Sequence, residues 1–76
     1  GTLFHNDCRI IEFKYFKSRD AGIVDHLEEA HLEDAQQVKA YAADMQKDYP
    51  HYQIKAYVAY IAGNKACKIF KENSND

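Results

Sequence analysis

The sequence predicts an α+β fold, an antiparallel four-stranded sheet with one helix on one face, in the order ββαββ. Three observations carry that expectation. Residues 9–17 (RIIEFKYFK) are rich in β-branched and aromatic side chains and alternate from Ile11 onward. Residues 32–48 keep an apolar stripe at helical spacing. Two further β-rich runs flank Gly63-Asn64, a dipeptide favoured in two-residue hairpin turns.

In the first strand Ile11, Phe13 and Tyr15 are expected to face the core, with Glu12, Lys14 and Phe16 pointing away. Residues 18–22 (SRDAG) read as the turn that ends it. The next segment, residues 22–30, admits two readings. As a strand it would place Ile23 and Leu27 on one face. As a helix it would join the following one, because Ile23, Leu27, His31, Ala35, Val38, Ala42, Met45 and Tyr49 share a helical spacing. That single helix would be unusually long, so the strand is preferred. The alternative, a long helix replacing the second strand, is βαββ.

From Leu32 the helix is unambiguous, with Ala35, Val38, Ala42 and Met45 as its buried stripe and Leu32 and Tyr41 beside it. Glu33 and Asp34 suit the positive end of the helix dipole, whereas His31 is a weak N-cap. Pro50 ends the helix near Asp48. Residues 51–61 and 66–71 form the second hairpin. Residues 1–8 are expected to be an N-terminal extension and residues 72–76 a frayed tail, around one small domain spanning 1–76.

The hairpin register decides which side chains are left over. With Gly63 and Asn64 as a two-residue turn, Ala62 pairs with Lys65, Tyr60 with Cys67, Val58 with Ile69 and Tyr57 with Phe70. Ile54, Val58, Tyr60, Cys67 and Ile69 then share the apolar face that takes the helix. Lys55, Tyr57, Ala59, Ile61, Lys68 and Phe70 share the other, joined by Lys14 and Phe16. One helix cannot cover both faces of a four-stranded sheet, so this second face meets water or a partner.

Composition narrows the function. The net charge of −2 argues against an electrostatically driven nucleic-acid binder. Residues 18–50 hold eight acids and three bases, the rest of the chain four acids and seven bases, so the middle is acidic and the remainder mildly basic. No apolar run approaches the length of a membrane span, and a cytoplasmic protein is the expectation. Cys8 and Cys67 read as small hydrophobes, with a bridge between them the lesser alternative.

No constellation points to catalysis. His5, Cys8, His26 and His31 match no zinc spacing, so neither metal nor cofactor is expected. Glu28, Glu29, Glu33 and Asp34 could serve as an acid and base only in a concave, desolvated site; a solvated acidic face is the simpler account. Serine-nucleophile, phosphate-loop and dinucleotide motifs are absent.

The stretch Glu29-Ala30-His31-Leu32-Glu33-Asp34-Ala35 is similar to a strand-to-helix junction of small phage and bacterial modules, with His31 in place of the usual Ser. In element order the chain resembles small phage-encoded ββαββ inhibitors, the anti-CRISPR proteins and Dmd-type antitoxins. The resemblance implies a cytoplasmic protein of a bacterial host that docks on a nuclease or effector. The expected function is therefore a non-enzymatic protein-binding module, with Lys14, Phe16, Lys55, Tyr57, Lys68 and Phe70 as contacts. Glu28, Glu29, Glu33 and Asp34 form an alternative acidic contact. Single-stranded RNA binding by the same sheet face, or a homodimer that hides it, are the competing readings.

Overall fold

The structure, a computed structural model, describes residues 6–72. Strand β1 (Asn6–Phe16) leads through a short 3-10 turn (Ser18–Asp20) into helix α1 (Ala21–Asp25) and helix α2 (Leu32–Asp48). Strands β2 (Tyr52–Ala62) and β3 (Ala66–Lys71) follow. The sheet has three strands in the order β1-β2-β3, with β1 parallel to β2 and β2 antiparallel to β3.

The expected four-stranded antiparallel sheet is thus corrected to a three-stranded mixed one. Residues 22–30 are neither a strand nor part of one continuous helix. Gly22, Asp25, Glu28 and Glu29 are poor strand formers, and the segment instead makes one short helix and an irregular link. Val24, not Ile23, is its buried anchor, since Ile23 stays 55% exposed. Without a returning strand beside β1, the chain crosses over through its helices, and a crossover brings β2 alongside in parallel.

The face assignment of β1 is reversed as well. Its apolar residues occupy both parities, so alternation alone cannot choose a side. In register, Lys14 lies opposite Tyr60 and Glu12 opposite Val58, on the helix-covered face with Ile10 and Phe16. Ile11, Phe13 and Tyr15 face outward at 42%, 47% and 75% exposure. Lys14 is tolerated inside because the carboxylate of Asp34 waits there, Nζ to Oδ1 at 3.5 Å.

The hairpin differs by one residue. Ala62 pairs with Ala66, leaving residues 63–65 as a three-residue loop closed by the Lys65 N–H on the Ala62 carbonyl at 3.0 Å. Gly63 takes φ 54°, and a Cβ there would run into the Ser18 side chain. That extra loop residue turns β3 over, so Lys68 and Phe70 face the helices while Cys67 and Ile69 face away. The β2 faces are as expected.

The core is small: Val24, Val38, Ala56, Val58, Tyr60 and Ala62 are fully buried, with Ile10, Phe16, Leu27 and Phe70 packed around them. On α2, Ala35 and Val38 are buried and Ala42 and Met45 half-buried, whereas Leu32 is 73% exposed and Tyr41 is exposed. The helix ends at Asp48, as Pro50 requires, and Gln46 ties that end to β2 through bonds from Nε2 to the Tyr49 and Tyr52 carbonyls. Residues 6–8, expected in an extension, belong to β1, and Glu72 is held by its N–H on the Ala56 carbonyl at 2.7 Å. The rest of both expected tails lies outside the described residues, as does His5. Cys8 and Cys67 are free thiols on opposite faces of the sheet, which removes the bridge.

Candidate functional site

Both helices pack on one face of the sheet, and among the described residues nothing covers the other. Its centre consists of three complete cross-strand rows. Ile11, Tyr57 and Lys71 make the first, Phe13, Ala59 and Ile69 the second, and Tyr15, Ile61 and Cys67 the third. Lys71 is the sole charge among these nine. Ala59 is only 1% exposed despite facing outward, because the larger Phe13 and Ile69 flank it in the same row. Phe13 and Tyr15 lie nearly parallel, their ring centroids 6.2 Å apart.

The exposed fractions of Ile11, Phe13, Tyr15 and Ile69 (42%, 47%, 75% and 60%) leave on the order of 400 Å² of side-chain surface open. That matches the largest apolar patch of an ordinary monomer, from four side chains alone, and such patches are often functional. The end of the face near Tyr52 is basic, where Arg9 neighbours Lys55 in register and Lys71 closes the first row. Asp7 partly offsets this charge through an ion pair with Lys55 at 3.9 Å.

The six residues expected as contacts are therefore divided. Lys55 and Tyr57 lie on the open face. Lys14, Phe16, Lys68 and Phe70 lie on the helix-covered face, where the rings of Phe16 and Phe70 pack against Tyr60 at 6.1 and 6.0 Å. In their place the face presents Ile11, Phe13, Tyr15, Ile61, Cys67 and Ile69. Alternation marks Ile11, Phe13 and Tyr15 as one face; nothing local says which way that face points.

The acidic set is divided too. Glu28, Glu29 and Glu33 are exposed, but Asp34 is buried. The Tyr60 hydroxyl donates to Asp34 Oδ2 at 2.6 Å and accepts from the His31 N–H at 3.0 Å. His31 Nδ1 lies 3.6 Å from the same carboxylate. Burial and the Asp34 hydrogen bond push the Tyr60 phenol up to about 12. This is a buried pair of titratable groups, yet the hydroxyl and carboxylate are spent on each other and on the start of α2, and neither of the two surface grooves is lined by them.

A groove lies elsewhere, between the C-terminal half of α2 and the start of β2, lined by Lys39, Gln46, Lys47, Tyr52 and Ile54 among others. Among the described residues no group of three or more His, Cys, Asp or Glu side chains is placed to hold a metal, and no helix is long and apolar enough to cross a membrane. No protein-family model matches the chain, and comparisons with curated proteins and with solved structures give no match either.

Proposed function

We propose that this chain is a non-enzymatic protein-binding module whose contact surface is the open sheet face. One observation carries the reading: three consecutive cross-strand rows, apolar but for Lys71, that no other element covers among the described residues. A stable protein contact takes about 800 Å² from each side, and the four most exposed side chains supply roughly half of that. Tyr57, Ile61, Cys67 and the basic rim extend it. The partner that fits is a protein with an apolar patch bordered by acidic groups, meeting Arg9, Lys55 and Lys71. An inhibitor that docks on a nuclease or effector needs no more than such a face.

The rings of Phe13, Tyr15 and Tyr57, on the face whose Tyr57 end carries these cations, also favour a second reading, stacking of single-stranded RNA bases. The aliphatic Ile11, Ile61 and Ile69 between the rings favour protein, since they offer bases no π-face. The test is affinity capture on immobilised chain, wild type against a Tyr15→Ser/Ile69→Ser variant with an unchanged circular dichroism spectrum. A protein held by the wild type at moderate salt and lost by the variant supports the reading. Retention of mixed-sequence RNA oligonucleotides at low salt, falling steeply as salt rises, transfers the face to nucleic acid.

A further inference from the structure

The far edge of β1 is a separate surface. β1 runs from Asn6 to Phe16 and, among the described residues, pairs with β2 alone and is the longer of the two edge strands. Among the described residues no backbone group pairs along its other side. An exposed edge of this length is a template for another strand, and its residue order says which one.

A two-fold axis relating two antiparallel strands runs perpendicular to the sheet and passes between two copies of one residue. Each register is therefore named by that residue. Centred on Phe13, the strand is complementary to itself: Ile10 faces the partner's Phe16, Ile11 the partner's Tyr15, and Glu12 the partner's Lys14. Across residues 10–16 every apolar side chain meets another, and Glu12 and Lys14 each meet their opposite. The neighbouring registers fail. Centring on Glu12 or Lys14 sets like charges face to face, and centring on Ile11 sets Glu12 against Ile10 and Lys14 against Cys8. The next pair would set Arg9 against Lys17, which lies outside β1, so the complementary segment is residues 10–16 and residues 6–9 extend past it.

We infer that this chain forms a two-fold symmetric dimer through antiparallel β1–β1 pairing centred on Phe13. The product is one continuous six-stranded sheet with both helix layers on the same side. Glu12 and Lys14, already 3.9 Å apart within one chain, meet their copies across the seam in a two-by-two cluster of alternating charges on that side. The open faces join edge to edge, so Ile11, Phe13 and Tyr15 of each copy form the middle of a doubled apolar band that remains free for a partner.

The test begins with sedimentation equilibrium, which should show twice the 8.8 kDa chain mass as concentration rises. Glu12→Lys places like charges opposite each other twice and should weaken the dimer about tenfold or more while leaving the circular dichroism spectrum unchanged. Register is read by cross-linking in a Cys8→Ser/Cys67→Ser background. A mixture of Ile11→Cys and Tyr15→Cys chains should form a mixed disulfide on oxidation. Ile69→Cys should not link to its copy, because β3 and its copy would lie five strand spacings, roughly 24 Å, apart. A monomer at every concentration overturns the inference. So does a dimer that cross-links through Ile69→Cys, which would be a face-to-face sandwich, or one insensitive to Glu12→Lys.

Discussion

Tyr60, fully buried in the central strand, donates a 2.6 Å hydrogen bond to Asp34 while its oxygen accepts one of 3.0 Å from the backbone N–H of His31. His31 offers no side-chain cap to α2, so a residue of the sheet closes the helix instead. Removing that hydroxyl in Tyr60→Phe should cost about 1–3 kcal/mol, because Asp34 loses its closest partner and the His31 N–H loses its acceptor. Urea unfolding should show a lower midpoint at an unchanged slope. A midpoint equal to wild type would mean that the capping bond contributes nothing.

The same phenol sets an alkaline limit. Its proton is held up to about pH 12 in the folded chain against 10.0 for a free tyrosine, mainly through burial. A raised folded value means the unfolded chain releases the proton first. The contribution is therefore fully present below pH 10 and is lost as pH climbs through 10 to 12. The stability difference between wild type and Tyr60→Phe should shrink across that window, followed by thermal unfolding at stepped pH.

Gly63 is constrained twice, by its φ of 54° and by the Ser18 side chain beneath it. Gly63→Ala should cost about 1–2 kcal/mol from the left-handed conformation alone, and more from the overlap with Ser18. Adding Ser18→Gly should recover only the overlap. Full recovery would show that the backbone carries no strain.

Gly22 is the opposite case. It sits in α1 without a positive φ, and a Cβ there meets nothing within 4 Å. Gly22→Ala should raise stability by about 0.4–1 kcal/mol by restricting the unfolded chain. A lower unfolding temperature would contradict the open surroundings of this residue.

The open face should tolerate what the core does not. Tyr15→Ser and Ile69→Ser should each change stability by less than about 1 kcal/mol, since both side chains are more than half exposed. Val58→Ala, at a fully buried position of β2 beneath the helices, should cost about 2 kcal/mol. If the face is reversed, the ranking inverts.

Much of this molecule was legible in one dimension. The run from Leu32 to Asp48 announced itself through apolar spacing and its proline stop, and the β2 faces followed from Ile54, Val58 and Tyr60 alternating with Lys55 and Tyr57. The site was half legible. Tyr57 and Lys55 lay on a strand whose parity is marked, whereas Phe16 and Phe70 lay on strands with rings or aliphatics at both parities. On β3 a single loop residue decides the face, and Gly63-Asn64 opens a two-residue or a three-residue turn equally well; on β1 the parallel register with β2 decides it.

The sequence by itself determined the α+β composition, the long helix, the two C-terminal strands and the presence of more apolar sheet surface than one helical layer can cover. Those are local properties: spacing, propensity and turn chemistry act within a few residues. Only the tertiary structure decided that β1 runs parallel to β2, that residues 22–30 stay out of the sheet, and which rings remain outside. The reason lies in long-range partners. Lys14 can turn inward only because Asp34, twenty positions away, is held there by Tyr60, and that inward turn sends Ile11, Phe13 and Tyr15 to the open face.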